Sequence, residues 1–195
     1  MTRIVPLAPN AAGLFPRWAF HLARKRLGRV PAPFAIMAKS PWVLASVGGF
    51  ELAFEHARTL DPRLRELASV KVALEVGCRF CIDIGSAIAA RSGVSEAELT
   101  ALPFHGSSDA FGVLERDVLD YAVEMTRTPV EISDSLFESL RTALGETALI
   151  ELTAAIAWEN FRARFNHAVG AEEEGFSEGA VCLLPERSAL EMVEG

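Results

Sequence analysis

Covalent chemistry in this chain is concentrated at Cys78-Arg79-Phe80-Cys81. Two cysteines three positions apart at the opening of a helix lie on one face, close enough to form a disulfide, and the helix dipole favours the thiolate of at least one of them. That is the makeup of a redox switch. A C-x-x-C pair alone also admits inert core cysteines or part of a metal site. A zinc site needs more ligands, and neither a second C-x-x-C nor a His pair at ligand spacing accompanies these two. Redox chemistry without a metal or bound cofactor is the expectation.

The elements that must position the pair read as helices. Strand-like alternation is scarce, while Ala, Leu, Glu and Arg recur at helical spacings over most of the chain, so the fold is expected to be all-α. A short basic helix is expected near residues 17–29, followed by an extended connection through Pro31, Pro33 and Pro41. A second helix runs from about Pro41 to Arg58. Asp61 and Pro62 open the next one, with Leu64, Leu67, Val70 and Leu74 as its apolar face, and Gly77 ends it. The cysteine helix follows and stops at Gly93. Ser95-Glu96-Ala97-Glu98 reads as a capping box for a short helix ending near Leu102. After a loop from Pro103 to Gly112, helices are expected near 113–127, 133–143 and 146–168, separated by Pro129 and Gly145. Loop-helix-helix organisation thus occurs twice, suggesting two related halves without an internal repeat that establishes duplication. The expected division is a basic arm and helix over residues 1–40, a helical domain over 41–170 and a tail over 171–195 that loops back over the body.

A chain of 195 residues, half of them hydrophobic, can bury a substantial core. No apolar stretch approaches the roughly 20 residues of a spanning helix, and residues 1–16 do not resemble a secretion signal. A reducing cytoplasm is therefore the expected setting. Net charge is −7, yet the first 30 residues hold Arg3, Arg17, Arg24, Lys25, Arg26 and Arg29 with no acid, so residues 31–195 carry −13. An acidic body is poorly suited to nucleic acid. The basic arm either lies on the acidic body of its own or a neighbouring subunit, or forms a solvated helix face.

The run from Arg65-Glu66-Leu67 to Gly77-Cys78-Arg79-Phe80-Cys81 resembles the core of the carboxymuconolactone decarboxylase and alkylhydroperoxidase D superfamily, whose pattern is a Glu, eleven residues, C-x-x-C, and a His four residues on. Glu66, Cys78 and Cys81 match in type and spacing; the His position is Gly85. The wording Cys-x-x-Cys-Ile-Asp-x-Gly is similar to a branch of the superfamily that carries Gly there. The resemblance covers roughly residues 41–168 in helix order and is specific over Glu66 to Gly85. It implies an alkylhydroperoxidase D-like helical bundle, Cys81 as the peroxide-attacking thiol, Cys78 as its disulfide partner and Glu66 in a proton relay. It also implies a hydroperoxide or disulfide substrate, a dihydrolipoyl or thioredoxin-like reductant, and a homo-oligomer. A second chemistry from the same superfamily, lactone decarboxylation, does not call for a thiol pair; a non-catalytic, redox-regulated helical protein is the third reading.

With Gly85 in the His position, another proton donor is needed. On the helix over 146–168, Trp158, Phe161 and Phe165 form an apolar face, and Asn160, Arg164 and His167 line another that either meets the Cys pair or is a surface stripe of caps and salt bridges. His167 is the candidate to test. Asp83 is expected to pair with Arg79 across one turn, and Tyr121 to sit at the core edge with its hydroxyl satisfied. Cys182 is expected to be a buried thiol, with a third exchange partner as the alternative. His21, His56 and His105 have no ligand partners at useful spacing and read as surface or loop residues.

Overall fold

A computed structural model describes residues 2–177. Among them there is no strand, and eight α-helices carry the fold: α1 Leu14–Leu27, α2 Ala32–Met37, α3 Pro41–Phe54, α4 Pro62–Val76, α5 Arg79–Arg91, α6 Glu96–Ala101, α7 Val113–Thr126 and α8 Asp134–Ala168. No described helix is long and apolar enough to cross a membrane.

α4 sits at the centre, packed on α5, α7 and α8. The sequence pattern shows one apolar face, but the structure buries every residue from Leu67 to Ala73. A helix surrounded on all sides has no solvent face to reserve for polar groups. Its two polar residues in that run are satisfied locally: Ser69 donates to the Arg65 carbonyl at 2.9 Å, and the buried Lys71 ammonium meets Glu75 at 2.8 Å. Leu64, Leu67 and Val70 interlock with Val118, Leu119 and Ala122 of α7 and with Leu140, Leu149, Leu152 and Ile156 of α8. Tyr121 is buried there and shares a 2.9 Å hydrogen bond between its hydroxyl and Thr153 Oγ1.

Asp61 caps α4 by accepting from the Arg63 amide, and Ser95 and Glu98 form the capping box of α6. Two corrections concern connections. The proline-rich stretch after α1 is not extended throughout but contains α2, because Pro31 is its N-cap and Pro33 falls in the first turn, where no amide hydrogen bond is lost. The loop after α6 begins with a 3₁₀ turn, Leu102–Ser107. α8 is helical on both sides of Gly145, whose φ of +76° and ψ of 164° interrupt it.

Part of the basic arm rests on its own body: Arg3 donates to the Ala168 carbonyl at 3.2 Å, Arg26 pairs with Glu55, and Arg29 reaches the Glu174 carbonyl and stacks 4.6 Å over the Phe176 ring.

Candidate active site

Gly77 ends α4 in the left-handed region at φ +74°, which a glycine adopts without strain. The sharp turn hands the chain straight to α5, whose N-cap is Cys78: its sulfur accepts from the Cys81 amide at 3.2 Å. The two sulfurs form a disulfide across Cα atoms 5.2 Å apart. Both cysteines are buried, but they differ in surroundings. Cys81 lines a cavity of about 710 Å³; Cys78 lies behind it, away from that wall.

The cavity lies between α1, α2, α3, α4, α5 and α8, and most of its wall is apolar, with Phe15, Trp18, Phe34 and Trp158 among the contributors. Its polar groups are few. Asn166, 4% exposed, donates from Nδ2 to Cys81 Sγ at 3.3 Å, and its Oδ1 has no partner among the described residues. Glu66 lines the same wall and pairs with Arg65 at 2.9 Å. Glu159 is buried and pairs with Arg162, which also reaches Glu51 at 2.9 Å; the Trp158 indole donates to the same Glu51 oxygen at 2.8 Å. Burial pushes the Glu159 carboxyl above its ordinary value; Arg162 opposes this, and the neighbouring Glu51 and Glu66 add to it. Burial would depress the Arg162 guanidinium, but Glu159 and Glu51 more than offset that and hold it charged.

Cys78, Cys81 and Glu66, singled out in the sequence, are thus brought together, with Gly85 on the same cavity wall. A Cβ at Gly85 would meet Val70 Cγ2 at 3.3 Å, so even a small side chain there presses on α4. His167 is not brought to the site. It is exposed, with Nδ1 3.3 Å from the Gly77 carbonyl. Its companions Asn160 and Arg164 donate to Thr126 Oγ1 and to the Thr126 carbonyl at 3.0 and 2.8 Å, tying down the end of α7. This stripe serves as caps. The site-facing stripe is Glu159, Arg162 and Asn166, with His167 one residue, about 100°, further round the helix. A signal for it exists in the sequence: Ala155 and Ala163 fall on the same face, and small residues mark where a helix approaches its neighbours closely.

Asp83 also departs from expectation. Arg79 makes a two-pronged ion pair with Glu173 at 2.8 and 2.9 Å, leaving Asp83 to a different task. Its buried carboxylate accepts from the amides of Glu174 at 2.9 Å, Phe176 at 3.0 Å and Ser177 at 2.8 Å, and from the Ser177 hydroxyl at 2.7 Å. Burial alone would raise its pKa, but these donors outweigh it and hold the carboxyl below its ordinary value. Phe80 packs edge-on against Phe176, and the Glu174 carboxylate accepts from the Ala32 amide at 2.6 Å. The segment 171–177 is thereby clasped onto α5 and the α1–α2 junction. Cys182 lies outside the described residues. Of the remaining histidines, His105 pairs with Asp120 at 2.9 Å and His56 contacts the Leu52 carbonyl at 3.1 Å. Among the described residues no group of three or more His, Cys, Asp or Glu side chains is placed to hold a metal.

An all-helical protein with a buried dithiol-disulfide pair at a helix start, opening on an apolar cavity, defines a class. The chain belongs to the carboxymuconolactone decarboxylase family, whose model matches residues 41–124. It is 34% identical over 168 residues to the uncharacterized protein YnjA of Escherichia coli K12, covering 85% of this chain and 89% of that one. Among solved structures it resembles the debrominase Bmp8, with a TM-score of 0.77 and 25% identity over 89% of this chain and 92% of that one. It also shares its fold with a peroxidase-related protein of Ralstonia eutropha JMP134 that has an alkylhydroperoxidase AhpD core, at a TM-score of 0.80 and 18% identity, covering 93% and 97% of the two chains. The fold is thus alkylhydroperoxidase D-like.

Proposed function

We propose that the protein is a thiol-dependent peroxidase in which Cys81 reduces a hydroperoxide and Cys78 resolves the product. The asymmetry of the pair supports this most: Cys81 faces the cavity and takes the Asn166 hydrogen bond, while Cys78 stands behind it within disulfide reach. An amide donor on sulfur favours the thiolate, the nucleophilic form. Cys81 attacks the terminal peroxide oxygen, the O–O bond breaks, the alkoxide takes up a proton and leaves as the alcohol, and the resulting sulfenic acid condenses with the Cys78 thiol to give the disulfide and water. Glu66 takes up the Cys81 proton. An external dithiol, dihydrolipoyl or thioredoxin-like, returns the pair to its reduced form by exchange, and the protein works as a homo-oligomer.

Mass spectrometry of the reduced protein mixed with one equivalent of alkyl hydroperoxide is the test. Loss of two hydrogens mapped to Cys78 and Cys81 is expected, along with a trappable sulfenic acid in Cys78→Ser. Free thiols after exposure, or turnover surviving Cys81→Ser, refute the proposal.

A second reading draws on the likeness to debrominase Bmp8 and on the size and aromatic lining of the cavity, which is in the range that holds drug-sized molecules. Here the dithiol supplies two electrons to a bulky bromoaromatic compound, which exchanges bromine for hydrogen and releases bromide. Bromide release that depends on Cys81 and an added dithiol favours it.

A further inference from the structure

Peroxide reduction leaves an alkoxide, a strong base that must be protonated as the O–O bond breaks. Gly85 places no side chain near Cys81 for that purpose. The described ionisable groups of the cavity are Glu159 and Arg162 on α8, Glu51 on α3 and Glu55 at its C-cap, Arg26 on α1, Glu66 and Arg65 on α4, and Cys81 itself. Arg26 and Glu55 pair with each other at the rim, 44% and 49% exposed. Inside, Arg65 serves Glu66, and a single Arg162 is divided between Glu51 and Glu159. Three carboxylates thus face two guanidinium groups. A carboxyl that is buried and has only a share in its cation is stabilised by taking up a proton. Glu51 is 41% exposed and Glu66 has its own cation, so the most buried member, Glu159 at 6%, is the place for it. The direction in which burial moves this carboxyl agrees.

We propose that Glu159 is the proton donor of this site, protonating the leaving alkoxide when Cys81 attacks a hydroperoxide; this rests on the peroxidase reading above. In the step, the Cys81 thiolate forms a bond to the terminal oxygen of ROOH, the O–O bond breaks, and RO⁻ takes the Glu159 proton to leave as ROH. Sulfur is oxidised by two electrons to the sulfenic acid and the peroxide is reduced by two. The Glu159 carboxylate left behind meets Arg162, already in contact with it. Its proton is restored from the one Glu66 collected from the Cys81 thiol, so Cys81–SH plus ROOH gives Cys81–SOH plus ROH.

The test compares cumene hydroperoxide with iodoacetamide, whose iodide leaves without a proton. In Glu159→Gln, the rate of sulfur oxidation by the peroxide is expected to fall about 100-fold, the low end of what a positioned acid contributes, with alkylation within about twofold of wild type. Glu159→Asp is expected to recover part of the loss. In wild type, oxidation normalised to alkylation falls as pH rises through the Glu159 titration, because the acid form is the active one; in Glu159→Gln that decline is absent. Equal peroxide rates in wild type and Glu159→Gln, or both reactions slowed alike, overturn the proposal while leaving the peroxidase reading intact. A wild-type protein inert to peroxide but open to alkylation defeats the peroxidase reading instead, and this one with it. Should Glu159→Gln not fold, infrared spectroscopy of wild type decides: a protonated carboxylic acid stretch at neutral pH, lost on alkalinisation, is expected, and its absence overturns the assignment.

Discussion

Replacing Asp83 with Asn removes one carboxylate oxygen from a group that accepts four hydrogen bonds, two on each oxygen: Ser177 N and Oγ on Oδ1, Glu174 N and Phe176 N on Oδ2. Whichever way the amide turns, two donors lose their acceptor and face an NH₂ group. A hydrogen bond to a charged group contributes about 1.5–3 kcal/mol, so two lost bonds amount to about 3–6 kcal/mol. The lower figure is the better expectation, since residues 174–177 can swing into water and be rehydrated. For a domain of this size, about 3 kcal/mol lowers Tm by about 6–12 °C. Denaturant titration measures the global loss, and hydrogen exchange at the amides of residues 174, 176 and 177 should show lost protection while that of α4 and α7 is retained at low denaturant. The pH dependence has a definite sign. Because the folded carboxyl lies below its ordinary value, its contribution is fully present above the unfolded value of about 3.9 and is lost as pH falls from there through the folded pKa. The stability gap between wild type and Asp83→Asn is therefore constant between about pH 5 and 8 and narrows on further acidification. A variant within about 1 kcal/mol of wild type with unchanged exchange at those amides, or a gap that widens in acid, refutes the clasp.

Asn166→Leu removes the amide donor from Cys81 sulfur; a hydrogen bond contributing about 1.4 kcal/mol to the thiolate corresponds to about a tenfold slower alkylation of the reduced protein near neutral pH, and superimposable rate–pH curves contradict this. Leu152→Ala, at a fully buried position where α8 meets α4 and α7, should destabilise by about 2–5 kcal/mol in denaturant titration. Gly145→Ala forces an L side chain into φ +76°, ψ 164°, a region essentially reserved for glycine, and should cost about 1–3 kcal/mol by the same measurement.

The helices were legible wherever a local stop or start is written into the chain. Asp61-Pro62, Gly77, the Ser95–Glu98 box and Gly145 each act on backbone within a turn, so their effect needs no tertiary information. α2 was hidden because prolines at the N-cap and in the first turn read as breakers when they are in fact starters. At the site, Cys78 and Cys81 were readable from their own spacing at the start of α5, and Glu66 only through the resemblance to the family pattern. The α8 contribution is harder to read, because two adjacent stripes, Asn160, Arg164 and His167 and the site-facing Glu159, Arg162 and Asn166, are equally polar, and only the small residues Ala155 and Ala163 mark which of them turns inward. For Asp83 the sequence points to Arg79 one turn away, whereas the backbone amides 91 to 94 residues downstream that the carboxylate binds leave no local mark.

The interruption at Gly145 has a mechanical consequence. From there to Asn166 the helix runs as a rod of about 30 Å at 1.5 Å per residue, and a swing of one degree at its base moves the far end by about 0.5 Å. The Asn166 amide lies 3.3 Å from Cys81 sulfur, a contact that survives only small errors of that kind. The angle at one glycine, far from the sulfur, therefore sets the aim of the amide, and the packing of α4 and α7 along the rod keeps that aim steady. Gly145→Ala should accordingly alter Cys81 reactivity along with stability, a long-range effect with the helix as its lever arm.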